Sequence, residues 1–212
     1  MKKRAAVSAA ALLIAAAGYI FGSIGIFTTE NQALIEEIRE LPAQIAQAQK
    51  AGIVPGGEIE AEVTKITDGD TIEASYKNKK YKVRLLCVDT PESEKPGVPV
   101  QPYSLEASDF MKKNVLNRKV RLIFEKEVRD RYERLLAYVV LEDGRFINAE
   151  LVKNGFARVE TVSPNRVNEK YFLELQSKAI AEKKGMWALP EDEQPFVKGK
   201  IGQYVPRYWS DK

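Results

Sequence analysis

Apolar and polar residues alternate with the two-residue period of β-strands in five short stretches of the chain. The stretches are rich in Val, Ile, Thr and aromatic residues, and Asp-Gly or lysine-rich turns separate several of them. The pattern predicts strands over residues 58–67, 71–76, 80–89, 119–127 and 134–144.

Three other stretches place apolar residues three and four positions apart, which is the spacing of one helical face. Helices are predicted over residues 104–116, 147–153 and 168–184, with Gly185 ending the last of them. Five strands with about three interposed helices predict an α+β fold built on a small, closed, OB-fold-like β-barrel.

The first 27 residues follow a different pattern. Lys2, Lys3 and Arg4 precede residues 5–27, which carry no charge and are longer than the ~20 residues that a membrane-spanning helix needs. We expect an uncleaved N-terminal transmembrane helix, and a secretory signal cleaved after the small residues 15–17 is the alternative. The positive flank would stay in the cytoplasm, so in both cases we expect the remainder of the chain to be exported.

The remaining chain divides into three segments. Residues 28–57 predict a helical stalk and a Gly/Pro-containing linker, and the helix suits either weak dimerisation or a position beside the membrane. Residues 58–189 predict the barrel domain, and residues 190–212 form a C-terminal tail.

Composition narrows the possible chemistry. The 212 residues include 33 basic and 30 acidic side chains, so a polyanion would need a local cluster of positive charge. There is no histidine, which excludes Ser-His-Asp triads and histidine-ligated zinc centres. The lone Cys87 lies in an apolar run and is expected to be a small buried hydrophobe. Hydrolysis would therefore rest on carboxylates, arginines and a hard cation such as calcium.

Two motifs place charge at the ends of predicted strands. TDGDTI, residues 67–72, predicts a tight turn, but the turn itself does not require Asp70. VRLLCVDTPE, residues 83–92, ends an apolar strand with Asp89 and Glu92 and carries Arg84 within it. Strict alternation places Arg84 and Asp89 on opposite faces, so they converge only if the strand curls; plain surface ion pairing is the other interpretation.

A third motif, RDRYERLLAYV at residues 129–139, opens another strand with basic side chains. Arg134 would present its guanidinium at the end of the barrel, where its planar fork suits a phosphate. A solvated hairpin end is the alternative interpretation.

In this order and spacing, DGDT, R-L-L-x-V-D-T-P-E, D-x-Y-x-R-x-L-A-Y and the closing KKGMW resemble the staphylococcal nuclease (thermonuclease) family over about residues 58–187. The resemblance implies a five-stranded barrel with helices and a calcium-dependent phosphodiesterase acting on DNA and RNA. It assigns calcium binding to Asp70, Asp89 and the main-chain carbonyl of Thr90. It makes Glu92 the general base and Arg84 and Arg134 the phosphate-binding residues.

The chain departs from the family pattern in three places. Glu133 stands where the family usually has glycine, beside Arg134. A glycine usual near the start of the first helix is replaced around residues 103–105, and the tyrosines that stack on the nucleotide have no match in residues 160–163.

Together these features predict an extracytoplasmic, calcium-dependent nuclease that yields 3′-phosphate products. It would be attached to the membrane by its N-terminal helix, or secreted if that segment is cleaved. Its partners would be DNA and RNA as substrates, and the sequence shows no evident protein partner. The alternative function is a catalytically weak barrel that binds nucleic acid or protein at the cell surface.

Overall fold

The computed structural model describes residues 50–93, 96–199 and 202–210. The predicted transmembrane helix and nearly all of the predicted stalk lie outside these residues. Within the described ranges, no helix combines the length and apolar content needed to cross a membrane.

A closed five-stranded barrel forms the centre of the described part, as the alternating pattern predicted. The first six strands are β1 (Lys50–Ala51), β2 (Gly57–Asp68), β3 (Thr71–Tyr76), β4 (Lys79–Leu85), β5 (Lys119–Ile123) and β6 (Leu135–Leu141). The order around the barrel is β2-β3-β4-β6-β5, and β5 pairs with β2 to close it. Neighbouring barrel strands are antiparallel except β4 and β6, which run parallel, and β1 adds a short parallel pairing to β2.

Closure depends on the long strand β2. Its first half pairs with β5 and its second half with β3, with register shifts between Val63 and Lys65 and between Ile66 and Asp68. Such irregularities bend and twist a strand, which lets β2 serve two neighbours around the barrel. The barrel interior is filled by alternate strand residues that are fully buried: Val63, Ile72, Val83, Leu122, Leu135 and Val139.

Helices pack around the barrel. They are α1 (Ser104–Val115), α2 (Ile147–Lys153), α3 (Glu169–Ala181) and the one-turn α4 (Arg207–Ser210), with a 3₁₀ turn at Gly185–Ala188. The first three confirm the predicted helices. Phe172, Leu175 and Ala179 form the buried stripe of α3 at the predicted spacing.

The predicted end of α3 was wrong. The helix ends at Ala181, because Lys183 adopts a left-handed φ of 52° and the N–H groups of Lys183 and Lys184 bond back to Ile180 and Ala179. Gly185 serves close packing instead: a Cβ there would lie 2.5 Å from the carbonyl oxygen of Asn154.

The C-terminal tail contains a hairpin that the sequence pattern did not predict. Strand β7 (Phe196–Lys198) pairs antiparallel with β8 (Tyr204–Pro206). Phe196 is buried in a cluster with Ala179, Met186 and Trp187, and the ring of Tyr204 lies 4.8 Å from that of Trp187. The tail therefore packs on the end of α3 and the 3₁₀ turn.

Candidate active site

The first site residue comes from the turn that joins β2 to β3. Gly69 and Asp70 make this two-residue connection, and the carbonyl of Asp70 accepts a hydrogen bond of 2.9 Å from the N–H of Leu85. A side chain at Gly69 would place its Cβ 2.7 Å from Thr90 Oγ1 and 2.8 Å from Ala107 Cβ. The glycine therefore lets the turn lie directly against Thr90 and α1.

The chain after β4 brings Asp89 to the same place by a route that alternation did not predict. The strand ends at Leu85, four residues earlier than expected, and a turn follows in which Cys87 has a φ of +64°. This left-handed residue breaks the two-residue period, so Arg84 and Asp89 meet with 3.3 Å between Nη2 and Oδ1. The prediction of a continuous strand to Asp89 was wrong. Cys87 is 3% exposed, which confirms that it is a buried hydrophobe.

Arg84 lies at the centre of the cluster. Its Nη1 is 3.0 Å from Asp70 Oδ2 and donates to the carbonyl of Val88 at 2.7 Å, while Nη2 faces Asp89 and also Glu160 at 3.4 Å. Burial alone would lower the pKa of Arg84, but the surrounding carboxylates raise it and keep the guanidinium charged.

Thr90 links the turn to the end of β4. Its main-chain N–H and its hydroxyl both donate to Asp70 Oδ2, at 3.1 and 3.3 Å, and the residue is 2% exposed. Pro91 follows and supplies no N–H, so it cannot extend the isolated backbone bridge between Asp89 and Arg158. Three of the predicted site residues, Asp70, Arg84 and Thr90, are thus joined by direct contacts.

Two further residues of the cluster were missed by the sequence analysis. Arg158 forms a two-way backbone bridge with Asp89 and also binds its carboxylate, with 2.7 Å between Nη2 and Oδ2. Glu160 accepts from Arg158 at 2.7 Å as well as facing Arg84. The available signal was the A-R-V-E sequence at 157–160, whose alternation puts both charges on one side of an otherwise apolar segment.

Arg134 belongs to a separate turn at the entrance of β6. Its Nε donates to Asp130 Oδ2 at 2.6 Å, and Asp130 Oδ1 accepts the main-chain N–H of Arg134 at 3.0 Å. Arg134 and Arg84 line the same cleft, about 440 Å³ in volume, together with Tyr132 and Glu160. The structure therefore places both predicted phosphate-binding side chains at one opening, although they do not contact each other.

Glu92 is held through its main chain by Gln101. Its N–H donates to Gln101 Oε1 at 2.8 Å, and its carbonyl accepts the N–H of Gln101 at 2.9 Å. Burial raises the pKa of Asp68 to about 6, and the negative charges of Asp70 and Glu92 contribute to the same shift. The carboxylate of Glu92 therefore lies within electrostatic range of Asp68.

The chemistry of the cluster fits a hard divalent cation. Asp70, Asp89 and the carbonyl of Thr90 offer oxygen donors of the kind calcium prefers. Arg84 and Arg158 lie among four carboxyl groups, those of Asp70, Asp89, Glu160 and the more distant Asp68, so carboxyl groups outnumber guanidinium groups in the cluster. No group of three or more acidic, thiol or imidazole side chains in the described part of the chain is arranged to hold a metal ion; the predicted set has two carboxylates and one carbonyl.

Comparison with known proteins shows which family the chain resembles in sequence. A family model described as "Staphylococcal nuclease homologue" matches residues 82–189, about half of the chain. The chain belongs to the staphylococcal nuclease family. It is 41% identical to a thermonuclease of Staphylococcus hyicus over 140 residues, which cover 66% of this chain and 82% of that relative. It is also 41% identical to the endonuclease YncB of Bacillus subtilis (strain 168) over 147 residues, which cover 66% and 69% of the two chains.

Two of the departures from the family pattern have one physical explanation. Glu133 and Tyr103 occupy left-handed backbone positions, with φ of 60° and 67°, where glycine is the least strained residue. The side chain of Glu133 is 82% exposed, and its carboxylate lies 3.9 Å from Arg129. Glu133 and Tyr103 therefore adopt a backbone conformation that glycine would adopt with less strain.

Proposed function

We propose that this protein is a calcium-dependent nuclease that hydrolyses phosphodiester bonds of DNA and RNA. The observation that carries the proposal is the convergence of Arg84 on Asp70 and Asp89, beside Thr90 and at the cleft that Arg134 also lines. Membership of the staphylococcal nuclease family supports a nuclease, as do relatives named thermonuclease and endonuclease.

The phosphate is bound by arginine. The Nη groups of Arg134 offer a planar pair of N–H donors that matches the non-bridging oxygens of a phosphodiester. Arg84, whose Nη groups already bond Val88 and three carboxylates, adds its positive charge and stabilises the charge that develops on those oxygens. When held by Asp70, Asp89 and the carbonyl of Thr90, calcium would add further neutralisation of that charge.

A carboxylate activates the water, because the chain contains no histidine that could act as general base. Glu92 accepts a proton from water as the water oxygen forms its bond to phosphorus. The bond from phosphorus to the 5′-oxygen breaks on the opposite side, and that oxygen leaves and takes up a proton from solvent water. The products then carry a 3′-phosphate and a 5′-hydroxyl.

We also propose that the enzyme acts outside the cytoplasm, with residues 1–27 as its membrane anchor, residues 28–57 as stalk and linker, and residues 58–189 as the catalytic domain. The uncharged segment after three basic residues supports this location. Protease added to intact cells should remove the nuclease domain, and N-terminal sequencing of the mature protein distinguishes an anchor from a cleaved signal. Full protection from the protease would contradict the location.

The activity is tested with purified full-length protein on single-stranded and double-stranded DNA and on RNA, with calcium or with a chelator. Cleavage should require calcium, and Glu92→Gln should lose most of the rate while retaining the fold, because the amide cannot accept the proton. Product ends should become sensitive to a 3′-phosphatase. Undiminished cleavage in chelator would refute the calcium mechanism. Nucleic-acid binding without cleavage would favour the alternative function, a catalytically weak barrel that binds nucleic acid.

A further inference from the structure

The side chain of Arg158 is one of the most buried charges in the described chain, with 5% of its area exposed. Its guanidinium holds Asp89 from the side away from Arg84. Nε and Nη2 both reach Asp89 Oδ2, at 2.8 and 2.7 Å, whereas Arg84 faces the other oxygen, Oδ1, at 3.3 Å. The two arginines thus fix the plane of the Asp89 carboxylate between them.

The C-terminal hairpin completes the surroundings of Arg158. Nη1 donates to the carbonyl of Tyr204 at 2.9 Å, and the guanidinium lies over the ring of Phe196, 5.2 Å from its centre. All three nitrogens of the guanidinium therefore have a partner: Asp89 on one side, Glu160 on the second and the hairpin on the third.

The hairpin is itself firmly placed. Phe196 is 1% exposed, Tyr204 packs against Trp187, and the carbonyl of Pro195 accepts a hydrogen bond of 3.2 Å from the side chain of Gln101. The side-chain oxygen and the main-chain N–H of Gln101 also bond to the main chain of Glu92. The hairpin lies beyond residues 82–189, the part matched by the family model. A segment outside the matched residues therefore contacts Arg158, which holds Asp89, and Gln101, which holds Glu92.

We propose that Arg158, seated on the C-terminal hairpin, is a positioning residue for Asp89 and thereby sets the calcium affinity of the site. The inference rests on the proposed function. Arg158 holds Oδ2 of Asp89 at 2.7–2.8 Å, whereas Arg84 contacts Oδ1 at the longer distance of 3.3 Å, so Arg158 fixes the direction in which Oδ1 is presented. Partners of this kind orient metal ligands in general. Lysine could keep the charge but could not bond Asp89, Glu160 and the Tyr204 carbonyl at once from a planar fork.

The test compares Arg158→Lys with Arg121→Lys in the full-length protein. Arg121 binds Glu58 on the barrel side through the same Nε and Nη2 atoms, which makes it a matched control. Calcium binding is measured by titration calorimetry. Arg158→Lys should raise the calcium dissociation constant by about tenfold or more, and Arg121→Lys should leave it unchanged. Because both variants keep the charge, a change specific to Arg158 reports orientation.

A second pair of variants tests the hairpin. Phe196→Leu removes the aromatic ring that packs against Arg158. The control, Phe172→Leu, removes an equally buried ring that packs against Tyr138 and Phe146. Both should lower stability, but only Phe196→Leu should weaken calcium binding. Equal calcium affinities across each pair would overturn the proposal.

Nuclease assays on the same proteins separate this inference from the proposed function. For Arg158→Lys, raising calcium to saturation should restore most of kcat, because the substitution acts through the affinity for the ion. If the wild-type protein binds calcium but cleaves no nucleic acid, the proposed function is wrong, and the binding comparison still decides the role of Arg158. A low kcat that saturating calcium does not restore would also overturn the positioning role.

Discussion

The two arginines predicted to bind phosphate line one cleft but are held in different ways. Arg84 sits at the end of β4 with 14% of its side chain exposed, and it faces three carboxylates brought in by separate parts of the chain. Arg134 is 28% exposed and is tied to Asp130, four residues earlier in the same turn. One arginine joins distant segments, and the other stabilises a local loop.

This difference suggests a division of roles. Removing Arg84 would leave the buried carboxylates of Asp70 and Asp89 beside fewer positive charges, so stability and catalysis are coupled at that position. Removing Arg134 would affect a partly solvated pair, in which ion pairing contributes little to stability. The loop can therefore change in sequence, as it does at Glu133, while the β4 end cannot change without a cost to the fold.

The largest expected effect is on the stability of an Arg84 variant. Arg84→Met should lower the free energy of unfolding by about 3 kcal/mol or more, because it leaves Asp70 and Asp89 buried beside fewer positive charges. Arg134→Met should lower it by about 1 kcal/mol or less. Urea denaturation of the two variants measures both values. Similar losses of stability would contradict the distinction between a buried Arg84 and a locally paired Arg134.

Activity should show that the loop arginine matters despite its small effect on stability. Arg134→Met should lower kcat/KM for DNA on the order of 10²-fold, because a preorganised donor to the phosphate is lost. Arg145→Met is the matched control, since Arg145 binds Asp143 in the same local manner, through Nε and its main-chain N–H. An Arg134→Met enzyme as active as the control would exclude Arg134 from phosphate binding.

The loop should also show a pH dependence of its own. Although burial acts in the opposite direction, hydrogen bonds from Arg134 lower the pKa of Asp130 below its usual value. Its stabilising contribution is thus complete above the unfolded-state pKa of about 4 and is lost as the pH falls through the lower folded-state pKa. Asp130→Asn should therefore be less stable than wild type at pH 7, with a difference that narrows in acid. A difference that does not change with pH would contradict the assignment.

The smallest effect is expected at Glu133. Glu133→Gly should raise the free energy of unfolding by about 1 kcal/mol or less, since glycine relieves the left-handed strain at φ 60° but has more freedom when unfolded. Activity should not change, because the Glu133 side chain points to solvent. A large gain in activity from this substitution would mean that the Glu133 charge acts on Arg134 after all.

The comparison also explains which features the sequence could predict. The barrel and its three main helices follow from periodicity, because their buried residues recur at fixed spacing. The convergence of Arg84 and Asp89 does not, because it depends on a left-handed Cys87, and cysteine is not a residue that signals this conformation. Alternation alone placed the two side chains apart.

The supporting residues were hidden for another reason. Arg158 and Glu160 lie about 70 residues from Asp89 in sequence, and no local pattern joins them to it. The β7–β8 hairpin consists of two three-residue strands, and the second ends in Pro206. Strands of this length are too short to show a two-residue period in the sequence. Packing between distant segments, which the sequence pattern cannot show, produces both features.

The account is tested most directly by the rate of DNA cleavage measured across a calcium titration for wild type and for Asp89→Asn. Wild-type cleavage should be absent in chelator and rise to a plateau as calcium binds. Asp89→Asn should need higher calcium and reach a lower plateau, because it loses a charged ligand while Arg84 keeps its other partners. Cleavage without calcium, or identical titration curves, would contradict a calcium-dependent centre at the end of β4.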